Sequence, residues 1–220
     1  AGKRKVHNFP AGEVTQDTLM NELGLLQLGI FEPLHFYVDP EKYSHEIKLF
    51  DNDWVNYLPK EGRPNNREGL AVTNLPGKTH QDNPSLPQAS RSAGKKLDDV
   101  DFNEFTDLQP ICDAFEPLGR TFIVRSNIGG YFPPHRDHPS IPRNCFRVIV
   151  FLQNCGPQQY DWFMQDDKKL MIEHGRAYYV NTRMTHRTVS WIDKSDHMIM
   201  NIPMTTENVE KVIANLLHTH

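Results

Sequence analysis

The pattern of apolar and polar positions changes once along the chain, near residue 121. Before that point, apolar residues recur at helical spacing over 15–28, which predicts a helix. A second helix is predicted over 40–50, since proline is tolerated in a first helical turn. After it, short runs of β-branched and aromatic residues alternate with turn residues about every ten positions, which predicts strands. The predicted strands are 121–126, 131–137, 146–152, 161–164, 169–172, 177–181, 186–191 and 198–203. This succession of short strands is typical of an antiparallel sandwich or barrel, and it indicates a jelly-roll-like β core.

The remaining segments predict the flanking parts of the same single domain. Segment 59–96 is rich in proline and glycine, which indicates long loops around one short strand at 70–73. These loops could form a substrate lid or be solvated connections, and the sequence favours neither. A short helix is predicted at about 108–115, and an amphipathic helix over 206–217 ends the chain.

Composition and charge exclude several classes of function. The chain has 220 residues, with 24 Lys and Arg against 28 Asp and Glu and a net charge of −4. No large basic field exists to bind phosphates, so we expect no nucleic-acid partner. The apolar runs are too short to span a bilayer, so we expect no membrane partner. The three cysteines form neither a CxxC motif nor an even set, which fits a reducing compartment, and we expect a cytoplasmic location.

The sequence His135-Arg136-Asp137 is the strongest candidate for chemistry. Side chains two apart on a strand point to the same face, so His135 and Asp137 can converge on one metal ion. His186, after a predicted turn, is the candidate third ligand. Two imidazoles and one carboxylate leave coordination positions open, an arrangement that Fe(II) oxygenases use. The spacing alone is weak, because His80 and Asp82 share it in the proline-rich loop, where we interpret it as a solvated coincidence.

Arg147 is the second candidate, because it interrupts the apolar run 146–152. A guanidinium that points into the core needs a carboxylate to pair with, and a bound ligand could supply one. Strand alternation is equally consistent with an Arg147 on the outer face.

The order of these motifs resembles a known family. The runs Pro-His-Arg-Asp, Cys-Phe-Arg-Val-Ile-Val-Phe-Leu and Gly-Arg-Ala-Tyr-Tyr-Val-Asn, followed by His186, are similar to the aspartyl/asparaginyl β-hydroxylase group of Fe(II)/2-oxoglutarate dioxygenases. Within that group the motifs look closest to the free-proline 3-hydroxylases. The resemblance covers about 119–204 and implies a double-stranded β-helix (jelly roll, cupin-like) there. Residues 1–118 then form a helical and loop-rich N-terminal part, and 205–220 the C-terminal helix.

The resemblance also implies roles for individual residues. It implies that His135, Asp137 and His186 bind Fe(II), and that 2-oxoglutarate and O2 occupy the open positions. Arg147 matches an arginine on the strand after the first metal motif, which makes it a candidate for binding 2-oxoglutarate. The family often has a histidine two residues further on, where this chain has Ile149.

A second departure concerns the far carboxylate of 2-oxoglutarate. The family has an arginine about ten residues beyond the distal histidine, and this chain has His197 near that place. A protonated His197 could hold a carboxylate, whereas a neutral one could only hydrogen-bond it. Other basic candidates for this anchor are Arg125, Arg187 and Lys194.

Two classes of function follow from these residues. The first is an Fe(II)- and 2-oxoglutarate-dependent hydroxylase that acts on a C–H bond of an amino acid or of a protein or peptide side chain. The alternative is a cupin-like jelly-roll protein that binds a metal or ligand without oxygen chemistry, because this architecture hosts many functions. A basic group deep in the barrel favours the oxygenase, since a binding module does not need one.

Overall fold

A computed structural model describes residues 16–57, 66–74, 101–102, 108–115, 121–137 and 145–217. Its helices are α1 (Gln16–Leu28), α2 (Pro40–Glu46, continued by a 3-10 turn over Ile47–Phe50), α3 (Gln109–Phe115) and α4 (Thr206–Ala214). Its strands are β1 (Phe31–Tyr37), β2 (Val55–Asn56), β3 (Arg67–Ala71), β4 (Thr73–Asn74), β5 (Asp101–Phe102), β6 (Phe122–Ser126), β7 (Tyr131–His135), β8 (Cys145–Gln153), β9 (Tyr160–Phe163), β10 (Arg176–Val180), β11 (His186–Ser190) and β12 (Ser195–Pro203).

Consecutive strands from β6 to β12 alternate between two antiparallel sheets. The large sheet has the order β1-β10-β8-β12-β6-β3-β2, and the small sheet has the order β7-β11-β9. Each successive strand therefore crosses to the opposite sheet, which is the winding of a double-stranded β-helix. The predicted fold class, mainly β with flanking helices around a jelly-roll core, is confirmed.

The central strands of the large sheet are buried on both faces, which explains their continuous apolar runs. On β8, Val148, Val150 and Leu152 pack with the helices on the outer face of the sheet. The alternate residues Ile149 and Phe151 face the interior between the two sheets, together with Trp162 of β9. Arg147 lies on this interior face as well. Strand alternation alone was equally consistent with an Arg147 on the outer face.

The N-terminal part contributes strands as well as helices. β1 pairs with β10 at one edge of the large sheet, and β3 pairs with β6 near the other. β1 was not predicted, and the strand predicted at 70–73 lies instead over Arg67–Ala71. The predicted helices at 15–28, 40–50, 108–115 and 206–217 are all present with shifted ends. The predicted strand at 169–172 is reduced to one bridge between Lys169 and Phe163.

Three further observations complete the fold. His80 and Asp82 lie outside the described residues, as does most of segment 59–96. Within the described ranges, every helix is too short or too polar to cross a membrane. Cys112, Cys145 and Cys155 are buried and are not joined in disulfides.

Candidate metal centre

Three side chains converge where β7 ends and β11 begins. His135 is the last residue of β7, Asp137 follows two residues later, and His186 opens β11 directly opposite His135. Their possible ligand atoms all lie within 4.8 Å of one another. The imidazole centroids are 4.2 Å apart, and Nε2 of His135 lies 3.8 Å from Oδ1 of Asp137. The structure thus brings together the three residues that the sequence singled out.

Both imidazoles are held in the tautomer that a metal ligand needs. Nδ1 of His135 lies 2.8 Å from the carbonyl oxygen of Pro133, and Nδ1 of His186 lies 3.0 Å from that of Met184. A carbonyl only accepts, so each Nδ1 carries the proton and donates it. Each Nε2 therefore presents a lone pair to the cluster, and the carbonyls fix the ring orientation as partners of metal-binding histidines do.

Asp137 is ionised, and an arginine stands beside it. Nε of Arg147 lies 3.0 Å from Oδ2 of Asp137, although the two atoms are not aligned as a hydrogen bond. Burial raises the pKa of Asp137, but the charge of Arg147, aided by His186, outweighs it and leaves that pKa below its usual value. The carboxylate is therefore charged at neutral pH, with an oxygen whose lone pairs are not fully used.

His186 is neutral at neutral pH. Burial lowers its pKa, and the nearby Asp137 carboxylate only partly opposes this effect. The imidazole stacks on Trp162, with ring centroids 5.5 Å apart and planes inclined by 14°. A neutral, buried and sterically fixed imidazole binds a cation without first releasing a proton.

The donor set of this cluster fits a divalent first-row metal ion. Two imidazole nitrogens and one carboxylate oxygen suit Fe(II) and, by the same chemistry, other ions of that row. The three donors come from one end of the barrel, so the opposite side of a bound ion would face the interior and solvent. Such an open set binds further ligands, which a closed structural site does not.

His197 lies inside the barrel near the place where the family has an arginine. Its side chain is buried, and its Nδ1 makes no hydrogen bond within the part of the chain that is described. Burial, and secondly the charge of Arg67, lower the pKa of His197 to about 3. His197 is therefore neutral at physiological pH, so the expectation of a protonated imidazole anchor does not fit its surroundings.

The other three basic candidates do not reach the interior. Arg125 makes a bidentate pair with Asp196 on the outer face of the large sheet, with N–O distances of 2.8 and 2.7 Å. Arg187 points outward and pairs with Asp167 at 2.9 Å. Lys194 sits in an exposed turn between β11 and β12, with a positive φ of 57°.

A different arginine, which the sequence did not suggest, lies inside. Arg67 of β3 is 6% exposed, and its Cζ lies 3.9 Å from the ring centroid of Phe132. The sequence around it, Pro64-Asn-Asn-Arg-Glu-Gly69, has the composition of a loop. Only the pairing of β3 with the distant β6 makes this segment a strand, and no local signal indicates that pairing.

Comparison with known proteins gives similarity at the level of structure alone. Neither the known protein families nor the curated protein sequences contain a match. An oxidoreductase of the 2-oxoglutarate–Fe(II) oxygenase family from Burkholderia pseudomallei aligns over 89% of this chain and 93% of its own, with 13% identity and a TM-score of 0.48.

Two prolyl hydroxylases give similar values. The prolyl-4-hydroxylase from Pseudomonas putida aligns over 84% of this chain and 99% of its own, with 10% identity and a TM-score of 0.45. The viral collagen prolyl hydroxylase from Paramecium bursaria Chlorella virus-1 aligns over 80% of this chain and 96% of its own, with 14% identity and a TM-score of 0.42. The strand order described above, rather than these similarities, establishes the fold.

Proposed function

We propose that this protein is an Fe(II)- and 2-oxoglutarate-dependent hydroxylase that acts on a C–H bond of an amino acid or a peptide side chain. One observation carries the proposal. Two imidazoles with fixed tautomers and an ionised carboxylate meet at one end of a double-stranded β-helix, with a partly buried arginine beside them. The proposal refines the resemblance to the aspartyl/asparaginyl β-hydroxylase group, which rests on the sequence motifs.

His135, Asp137 and His186 would hold the Fe(II) ion. With Fe(II), 2-oxoglutarate and O2 bound, such a centre couples decarboxylation of the cosubstrate to hydroxylation of a C–H bond. The protein's own contribution is to fix the three donors and to keep a defined set of positions open. The hydrogen bonds to the carbonyls of Pro133 and Met184 perform the first task, since they prevent either ring from turning its Nε2 away.

Arg147 and Asn201 would bind polar atoms of the cosubstrate close to the metal. They are cross-strand partners on β8 and β12 and face the interior at the same level as the metal centre. Asn201 is 1% exposed, and neither its amide nitrogen nor its carbonyl oxygen has a hydrogen-bond partner among the described residues. A buried amide without partners is costly, so a ligand that supplies them would bind favourably.

The apolar interior would keep water from the reacting atoms. Ile149, Phe151 and Trp162 belong to one buried apolar cluster, and the ring of Trp162 stacks on the imidazole of His186. A dry site strengthens each electrostatic contact with the bound cosubstrate and limits side reactions with water.

A polar groove beside His186 would receive the substrate. Its volume is about 300 Å³, and it is bordered by Pro134, Phe163, Arg136, Arg187, Asp166 and Asp167 as well as His186. The groove offers both positive and negative side chains next to a metal ligand. Such walls suit a ligand that carries both charges, which is the property of a free amino acid or of a peptide segment.

An absorbance titration tests the proposed function. Fe(II) is added under nitrogen to the protein, first without and then with 2-oxoglutarate, and the visible spectrum is recorded. We expect a new absorbance band only when both are present, and its loss in His135→Ala. A jelly-roll protein that binds a metal without oxygen chemistry would give the same spectrum with and without 2-oxoglutarate, and that outcome would favour the alternative function. A screen for succinate release across amino acids and peptides would then identify the substrate.

A further inference from the structure

The interior of the barrel has a second polar level, distinct from the metal centre. The metal centre, Arg147 and Asn201 lie at one end. Toward the other end, Nδ1 of His197 is buried and makes no hydrogen bond within the described ranges, and the buried hydroxyl of Tyr160 has the side chain of Thr188 beside it. Buried polar atoms with unused hydrogen-bonding capacity between the two sheets indicate that a polar ligand completes this level.

The strand register places Arg67 on the interior face, next to this second level. His197 on β12 pairs with Val124 on β6, and Val124 pairs with Gly69 on β3. These three residues lie across the sheet on one line and share a face. Arg67 precedes Gly69 by two positions, so it shares that face too and points between the sheets. Burial is the larger cause of the lowered pKa of His197, and the charge of Arg67 is the second.

Contacts connect Arg67 to the metal centre through a single ring. The Cζ atom of Arg67 lies 3.9 Å from the centroid of Phe132, whose ring is 4.4 Å from that of His135. The ring of Tyr57 lies on the guanidinium as well, with 5.6 Å between Cζ and its centroid. The guanidinium is thus held against aromatic faces, and only the ring of Phe132 separates it from the proposed metal ligand His135. Two methylene groups separate the 2-oxo group of 2-oxoglutarate from its distal carboxylate, which is a separation of similar size.

We propose that Arg67 binds the distal carboxylate of 2-oxoglutarate, with Tyr160 and His197 as neutral hydrogen-bond partners at the same level. This inference rests on the proposed function. It assigns the positive charge that the family resemblance expects from β12 to a strand of the N-terminal part. A guanidinium fixed by aromatic contacts loses little freedom when it binds a carboxylate, which favours it over a lysine at this place.

The test compares two oxo acids that differ only at the distal end. 2-Oxoglutarate and 2-oxopentanoate present the same 2-oxo acid group to the metal, but the second has a methyl group instead of the distal carboxylate. Binding of each is measured by calorimetry with the Fe(II)-loaded protein under nitrogen, so that no turnover contributes. The quantity of interest is the ratio of the two dissociation constants in each protein.

We expect the wild-type protein to prefer 2-oxoglutarate by roughly 10- to 100-fold, as one charge-assisted contact allows. In Arg67→Met, which keeps an apolar stem against Phe132, we expect the preference to fall to less than about 3-fold while 2-oxopentanoate binds as in the wild type. Arg67→Lys, which keeps the charge but cannot bind a carboxylate bidentately, should retain part of the preference. Lys194→Met is the matched control and should keep the wild-type ratio.

The outcomes separate this inference from the proposed function. If the wild-type protein prefers 2-oxoglutarate and both Arg67 variants keep that preference, another group anchors the carboxylate and the inference is overturned. If the wild-type protein binds both oxo acids equally, the distal carboxylate has no anchor, which also overturns it. If neither oxo acid binds the wild-type protein, the proposed function itself fails. If Arg67→Met does not fold, as judged by circular dichroism, Arg67→Lys provides the test. An unchanged ratio of dissociation constants in Arg67→Lys would contradict bidentate binding of the carboxylate by the guanidinium.

Discussion

Two aspartates, one buried and one partly exposed, lie beside arginines on opposite faces of the large sheet and have opposite surroundings. Asp196, on the outer face, accepts hydrogen bonds from Arg125, Tyr43 and Gln153 at distances between 2.7 and 3.0 Å. Asp137, at the end of the interior, has Arg147 at 3.0 Å without hydrogen-bond alignment and faces two imidazole nitrogens.

The difference separates a structural carboxylate from one that we propose binds a metal ion. Asp196 is fully buried and uses its acceptor capacity within the protein, so no ligand could bind it without breaking existing bonds. Asp137 keeps capacity for a cation, and the residues around it present lone pairs toward the same point. Unused acceptor capacity and partial exposure together distinguish Asp137 from the fully buried Asp196.

The largest expected effect comes from removing a proposed metal ligand. His186→Ala should reduce succinate formation by more than about a thousandfold, because two donors bind a divalent ion far less tightly than three. The protein should remain folded, since β11 stays paired with β7 and β9. Succinate assays and thermal unfolding of the same preparation measure both quantities. Activity that persists at saturating Fe(II) would contradict the ligand assignment.

The second effect concerns stability and contrasts the two aspartates directly. Asp196→Ala leaves the guanidinium of Arg125 buried without its carboxylate, which should lower the free energy of unfolding by about 3–5 kcal/mol. Asp137→Ala should lower it by less than about 1 kcal/mol, because Arg147 is at the open end of the barrel and can be hydrated. Urea unfolding of both variants gives the comparison. Equal losses would show that the two carboxylates have the same structural role.

Arg147→Ala should act on cosubstrate binding more than on stability. The loss of one charge-assisted contact, about 1.5–3 kcal/mol, should raise the apparent KM for 2-oxoglutarate by one to two orders of magnitude. Circular dichroism should stay native. Steady-state kinetics with 2-oxoglutarate as the varied ligand measures the change, and an unaltered KM would mean that Arg147 serves only to hold Asp137.

The smallest effect is the pH dependence that His197 contributes to stability. The pKa of His197 is about 3 in the folded protein, and an unfolded histidine has a pKa of about 6.5. Between these values the unfolded chain binds a proton that the folded protein does not. The stability that comes from the lowered pKa of His197 is therefore complete above about pH 6.5. It is lost as the pH falls, by about 1.4 kcal/mol for each pH unit.

Urea unfolding at pH 5 and pH 7 tests this contribution. The wild-type protein should lose about 2 kcal/mol more than His197→Gln over this interval, because glutamine has no proton to bind. The charged and titratable groups that act on the imidazole, Arg67 and the Tyr160 phenol, keep their protons throughout this range, so the difference between the two proteins reports His197 itself. Identical pH slopes would mean that His197 is hydrated and titrates normally.

The sequence predicts those parts of the fold that have a regular local pattern. Strand β8 is apolar except for Arg147 and Gln153, and β12 is apolar along most of its length. Both strands were predicted, because burial of both faces produces these apolar runs. β1 was missed because Pro33 and an irregular apolar spacing in Phe31–Tyr37 do not resemble a strand, although its place at the edge of the sheet tolerates proline.

The same limit applies to the candidate site. The spacing of His135 and Asp137 and the ordered motifs after them indicate the cluster, since all three members lie on predicted strands or directly beside them. Arg67 could not be predicted, because its place inside the barrel results from the pairing of β3 with β6, far apart in sequence. The neutral state of His197 could not be predicted either, since it depends on how completely the folded protein excludes water from that position.

The position of β3 in the large sheet has a consequence for dissecting the protein. Every residue of β6 is buried, and β3 satisfies the hydrogen-bonding edge of β6 that β12 does not cover. A fragment that begins at residue 119 would expose this edge as an unprotected apolar template, which is the usual starting point for aggregation between chains. The segment that carries all the recognisable motifs therefore depends on β3, from the first half of the chain, to cover this edge and prevent self-association.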